Sequence, residues 1–324
     1  MVDSISKTRI DRAQAEAIVA RSFGAGAALR TFDACEEGWF NAVHRLGLDD
    51  GRAVVLKIAP PPDVRVLRYE ADIIRTEVDA LRVVAEQTEV PVPAVLAWDD
   101  RCDLVPSPYF VMEACPGVLL SERRASLDED GAWTVDRQVV RHVASMNAIT
   151  GPAFGRPAPS APRSSSWREA FGRLVQDLLA DAADASVDLP ASVDEIRGMV
   201  DARAEALDVV TTPRFVHWDL WDTNVFVDPA TLEVVGIIDF ERVLWADPLT
   251  EAQFTSKRGR DRSVDAHGER LFDQPLAVER RRLYDLYLYL VMFIECSYRN
   301  YPTSDISDFA TACLGRVLDE IRTD

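Results

Sequence analysis

Residues 215–228 read FVHWDLWDTNVFVD, and no other stretch of this chain is as loaded with chemistry. It sets His217, Asp219, Asp222 and Asn224 between two apolar runs, with Trp218 and Trp221 interleaved. A carboxylate and an amide five positions apart in a short loop can deprotonate a hydroxyl and hold a metal ion. They can also form an ordinary polar turn, and the flanking sequence has to decide.

Immediately downstream, NVFVD and EVVGIIDF read as two short strands around a turn at 229–232. Such a hairpin returns Asp239, where the second strand runs out, to the neighbourhood of Asn224. On either side the pattern is helical. TVDRQVVRHVASMNAI, WREAFGRLVQDLLADAA and SVDEIRGMVDARAEAL precede the loop, and ERRRLYDLYLYLVMFIECSYR follows it.

The first 115 residues differ in character. KTRIDRAQAEAIVARSFG predicts a helix opened by Thr8, with Asp11 at the capping-box position and Gly24 beyond its end. LRTFDAC, WFNAVHRL and RAVVLKIA read as strands, the last two joined through Asp50-Gly51, a hairpin signal. Apolar residues at Leu67, Ala71, Ile74, Val78, Leu81 and Ala85 alternate steps of four and three and predict a helix over 64–87. VPVPAVLAW and SPYFVMEA supply two further strands before Pro116-Gly117 breaks the pattern. The expectation is an α+β chain in two parts. A five-stranded antiparallel sheet with a helix occupies 1–115, and a mostly helical lobe with a small hairpin occupies 116–324.

At 324 residues, 48% hydrophobic and 28% charged, the chain can build one large core or two ordinary ones. Its 36 basic and 54 acidic side chains leave a net charge of −18, which repels nucleic-acid phosphates and anionic membrane surfaces. The five cysteines form no CxxC pair, so neither a zinc site nor a disulfide framework is predicted and a reducing cytosol fits best. MVDSISKTRID lacks the apolar segment of a signal peptide, and LYLYLVMFI is too short to span a bilayer. A soluble, cytoplasmic protein with small-molecule partners is expected.

Phosphoryl transfer is largely positioning and charge neutralisation: a base near the hydroxyl, metal ligands under the phosphates and a cation above them. The loop offers the base, Asp219, and two oxygen ligands, Asn224 and Asp239. Lys57, within the apolar run AVVLKIA, needs a carboxylate or phosphate to justify its place, or else sits on a solvent-facing edge. HWDLWDTN followed by IIDFE resembles the H-G-D-x-x-x-x-N and I-D-x-x-D/E motifs of the aminoglycoside phosphotransferase family, itself similar in fold to protein kinases. The resemblance runs from the first strands to the helix after WADP.

That resemblance implies a two-lobed, protein-kinase-like fold and an ATP- or GTP-dependent kinase acting on a small-molecule hydroxyl. An antibiotic acceptor, modified in resistance or self-protection, is the leading reading; the alternatives are a metabolite such as choline, homoserine, fructosamine or a sugar, and a non-catalytic nucleotide-binding pseudokinase. Asp219 is then the catalytic base, Asn224 and Asp239 hold Mg2+, His217 braces the loop, and Lys57 clamps the nucleotide phosphates. Its partner is Glu77 or, in reserve, Glu70. The turn at Gly38 with Asn41 matches the nucleotide loop. YFVMEACPG matches the hinge, with Met112 lining the pocket and Glu113 and Cys115 reading adenine through their backbone.

The remaining acidic residues stay open. Glu241 is read either as an aid to a second metal or as a surface partner of an arginine, Asp222 as a substrate contact or a loop cap, and Asp247 before Pro248 as a helix cap. Glu251, Asp285 and Glu295 are loose candidates for holding a cationic acceptor. Trp218 stands where the family carries glycine, and Asn147 where many of its members carry histidine.

Overall fold

The computed structural model describes residues 6–35, 40–251, 270–299 and 304–323. Helix α1, Arg12–Phe23, leads into strands β1 (Leu29–Ala34), β2 (Ala42–Leu48) and β3 (Ala53–Ile58). Helix α2 (Ile73–Gln87) follows, and then β4 (Val95–Asp99) and β5 (Tyr109–Glu113). The five strands form one antiparallel sheet in the order β1-β2-β3-β5-β4.

Strand alternation sorts the two faces of this sheet. Val54, Leu56 and Ile58 of β3 and Tyr109 and Val111 of β5 bury against Ile18 and Val19 of α1. Val55 and Lys57, with Phe110 and Met112 opposite them in register, take the other face, towards α2. Lys57 is buried with them.

Two helix starts differ from expectation. Asp11, not Thr8, caps α1, accepting the Gln14 N–H in a capping box. The Thr8 hydroxyl donates to the Ala59 carbonyl at 2.6 Å, tying the N-terminal segment to the sheet. The second helix begins at Ile73, not at residue 64. Glu70 accepts the Leu67 N–H at 2.8 Å in a 3-10 turn, and Asp72 turns left-handed at φ 58° before the helix can start.

After β5, β6 (Val118–Leu119) enters helix α3 (Leu120–Arg124), and α4 (Glu129–Ala148), α5 (Trp167–Asp184) and α6 (Val193–Arg203) follow. Strand β7 (Arg214–Val216) leads to the hairpin of β8 (Val225–Val227) and β9 (Val234–Ile237), then to β10 (Leu244–Ala246). Helices α7 (Ala277–Arg299) and α8 (Asp305–Arg322) end the chain. The hairpin sequence predicts is present, and β6 adds a third strand to it. The pairing of β7 with β10 was not legible, since three-residue strands carry no periodicity.

Gly117 makes the approach of β6 possible. It adopts φ 82°, and a Cβ there would collide with the Val227 carbonyl. The large core joins the α2 face of the sheet to the helices, with Trp167, Phe171, Tyr284 and Tyr287 packed edge to face. Among the described residues no helix is long and apolar enough to cross a membrane.

Candidate active site

The loop between β7 and β8 is held from several sides. The buried Glu251 carboxylate accepts the N–H groups of His217 and Trp218 at 2.7 and 3.2 Å. Nδ1 of His217 accepts the Asp219 N–H at 3.2 Å, and Nε2 meets the Ile238 carbonyl at 3.0 Å. The imidazole is therefore neutral with its proton on Nε2, in keeping with burial that drives its pKa down to about 4. Asn147 on α4 donates to the Phe215 carbonyl at 2.7 Å, steadying the strand that feeds the loop.

Trp218 lies at φ 58°, the left-handed region where glycine fits without strain. A side chain there costs roughly 1–2 kcal/mol. The indole is buried and stacks on Tyr287 with centroids 5.3 Å apart, so it points into the helical core and its packing offsets the strain. Further along, Arg124 donates to both oxygens of Asp222, at 2.7 and 3.0 Å, and to Asp136 at 2.9 Å. Asp222 thus anchors the loop to α3 and α4.

Asn224 donates its amide N–H to the Asp219 carbonyl at 2.7 Å, which leaves the amide oxygen as the atom suited to a cation. The register Val225↔Ile237 and the Ile238 N–H to Asn224 carbonyl bond (3.0 Å) bring Asp239 beside it. Asp239 is itself left-handed, at φ 70°, and opens the 3-10 turn at Phe240–Arg242.

Lys57 is the centre of a buried charge cluster. Its Nζ lies 2.6 Å from Glu77 Oε2, 2.6 Å from Asp239 Oδ1 and 2.9 Å from Glu241 Oε2. Glu70 pairs instead with Arg299, at 2.5 Å. Burial pushes Glu241 up to about 8, and Asp239's charge adds to it. Burial likewise raises Glu77 to about 7 against the pull of Lys57. Burial also acts to raise Asp239, but Lys57 outweighs it and holds this carboxyl below its ordinary range. Asp219 is lifted by burial to about 6, with Arg242 opposing and Asp239 reinforcing the rise.

One cavity of about 580 Å³ collects these groups. Asn41, Lys57, Glu77, Met112, Glu113, Cys115, Asp219, Asn224 and Asp239 all line it. Gly38 lies outside the described residues. The Glu113 N–H is spent on the Ala94 carbonyl at 3.0 Å, so it is not available to read a base. Gly236 makes room for the Cys115 thiol, which would lie 2.7 Å from a Cβ there.

Several acidic residues sit elsewhere than expected. Glu241 is neither at the surface nor paired with an arginine: it is buried between Lys57 and Asn41, whose amide donates to it at 2.6 Å. Glu251 faces the loop backbone, and Asp285 pairs with Arg281 at 2.5 Å; neither lines the cavity. Asp247 caps the turn at Pro248–Glu251 as predicted, accepting the Leu249 N–H at 3.0 Å, and also holds Arg280 and Tyr284. Arg124 and Arg242 went unnoticed in the sequence, where a lone arginine carries no spacing signal. Arg242 Nε lies 3.9 Å from Asp219 Oδ2, and its guanidinium 3.0 Å from Glu295.

A strand lysine paired with a helix glutamate, facing a loop Asp and Asn beneath it, is the arrangement of a kinase-type phosphotransferase. The family model described as the phosphotransferase enzyme family (APH) matches residues 31–286, and the chain belongs to that family. Its fold is two-lobed and protein-kinase-like. A thermostable mutant of aminoglycoside phosphotransferase APH(4)-Ia superposes with a TM-score of 0.68 at 19% identity, covering 94% of this chain and 98% of that one. A candidate fructosamine-3-kinase from Thermobifida fusca YX-ER1 gives the same TM-score of 0.68 at 20% identity, over 95% and 99% of the two chains. In sequence, mouse acyl-CoA dehydrogenase family member 10 is 23% identical over 227 residues, 68% of this chain and 20% of that protein. The chain spans about a fifth of the length of the curated relatives it matches.

Proposed function

We propose that this enzyme transfers the γ-phosphoryl group of ATP or GTP to a hydroxyl of a small molecule, of antibiotic or metabolite type, in the cytoplasm. The observation that carries the reading is the convergence of Lys57, Glu77, Asp219, Asn224 and Asp239 on one cavity. APH(4)-Ia has been solved with ADP and hygromycin B, and aminoglycoside 2'-phosphotransferase-IIIa with GDP, in the same fold.

In this reading residues 1–115 form the nucleotide lobe and 116–324 the catalytic lobe. Met112, the Glu113 carbonyl and the Cys115 backbone face the base, and the loop containing Gly38 and Asn41 covers the phosphates. Lys57, held by Glu77, meets the α- and β-phosphates. Asp239 keeps 27% of its side chain open to the cavity and, with the Asn224 amide oxygen, provides the oxygen donors that magnesium prefers. Bound there, Mg2+ neutralises phosphate charge.

Asp219 accepts the acceptor's proton as its oxygen attacks the γ-phosphorus, and the nucleoside diphosphate leaves. His217, neutral and fixed by Ile238, holds the Asp219 backbone in place. The test is incubation with nucleotide, magnesium and a panel of hydroxylated antibiotics and metabolites, scored for one added phosphoryl group by mass. Nucleotide consumption with no modified acceptor would overturn the reading.

A further inference from the structure

Besides the residues assigned to nucleotide and metal, the cavity is lined by one face of α7. Leu288, Met292, Glu295 and Arg299, spaced four, three and four apart, form one stripe of that helix along the cavity. Ile306 of α8 and Trp221 of the loop complete the lining together with Arg242.

The charged side chains on this wall are paired with protein groups. Glu295 is gripped by two guanidinium groups, Arg242 at 3.0 Å and Arg299 at 3.2 Å, and Arg299 also holds Glu70 at 2.5 Å. The Glu295 carboxylate is therefore already paired within the protein. Of the acidic residues considered for holding a cationic acceptor, only Glu295 reaches the cavity, and an ammonium approaching it meets both arginines. The apolar surface that the described wall offers a ligand comes from Met292, Ile306 and Trp221, with Leu288 buried beside Met292 on the same stripe.

We infer that the acceptor is an alcohol carried on a largely apolar body without ammonium groups, and that polycationic aminoglycosides are not its substrate class. This rests on the phosphotransferase reading for the position of the hydroxyl, beside Asp219. The apolar body lies along the α7 stripe and the hydroxyl reaches back to the carboxylate, so selectivity comes from desolvated contact and not from charge.

The experiment separates binding from transfer. Calorimetry on the Asp219→Asn protein, loaded with a non-hydrolysable ATP analogue and magnesium, compares butanol, hexanol and octanol with kanamycin. The expected result is affinity rising roughly four-fold per added methylene along the alcohols, with octanol bound at least about ten-fold more tightly than kanamycin. Met292→Asp should weaken octanol about ten-fold and strengthen kanamycin. Tighter kanamycin binding, a flat alcohol series, no binding by either class, or an octanol affinity untouched by Met292→Asp would overturn the inference. Phosphorylation by the wild-type protein is scored separately on the same compounds, so a failure of transfer is read apart from a failure of acceptor class.

Discussion

Lys57 Nζ stands 2.6 Å from Asp239 Oδ1 across 182 residues of sequence, and the same ammonium meets Glu77 and Glu241. One buried cation thus pairs with three carboxyl groups contributed by a helix and by the segment after a hairpin. Removing one partner of a buried ion pair commonly costs about 3–5 kcal/mol, because the remaining charge is stranded. Lys57→Met should therefore lower stability by about that amount in urea titration, while raising the nucleotide KM. A variant as stable as the parent would show that the carboxylates are neutralised by other means.

Asp219→Asn keeps the shape of the loop and removes the proton acceptor. Transfer should fall by about 10²–10⁴-fold, with nucleotide affinity little changed. In the parent, the carboxyl must be ionised to accept a proton and titrates near 6, so kcat/KM should rise with pH through about 6. A profile flat from about pH 5 to 8 would exclude Asp219 as the titrating base.

Glu241 and Glu77 predict how the fold itself responds to pH. Their folded values, about 8 and about 7, lie above the ordinary 4.5, so the folded chain binds these protons more tightly than the unfolded chain. The resulting stabilisation is complete below the unfolded value and is lost as pH rises through the folded ones. Ligand-free stability should fall by a few kcal/mol between about pH 5 and 8, and Glu241→Gln should flatten that slope. Urea midpoints across this range decide the matter.

Trp218→Gly relieves a left-handed backbone but empties the indole's place on Tyr287. Relief of roughly 1–2 kcal/mol set against roughly 3–5 kcal/mol for a large core truncation predicts a net loss of about 1–4 kcal/mol. Denaturant unfolding of the variant measures this, and a stabilised variant would mean that strain outweighs packing.

Much of the fold was legible locally. Strand-like runs bounded by turn signals announced the five strands of the sheet, whereas Lys57 stood open between a buried partner and a solvent-facing edge until the structure turned it towards α2. The loop's spacing of Asp219 and Asn224 and the hairpin that returns Asp239 were visible for the same reason, since they depend on near neighbours. Glu251 was not. Its role is to accept two N–H groups of a loop 33 and 34 residues away, and nothing around it in sequence marks it apart from a surface carboxylate. Nor could spacing decide Glu77 over Glu70, which lie seven residues apart and were read as one helix face. The left-handed Asp72 ends that continuity, turning Glu70 to Arg299 and Glu77 to Lys57.

The sequence by itself determined the order of strands and helices and the loop with its carboxylate and amide, because hydrophobic periodicity and turn chemistry act over a few residues. Only the tertiary structure decided which charges compensate which. Lys57 gathers three carboxylates, Arg242 and Arg299 hold Glu295, and Trp218 turns away from the cavity into the core. The pairing of a buried charge depends on where the chain returns in space, and residues hundreds of positions apart carry no local signal of that meeting.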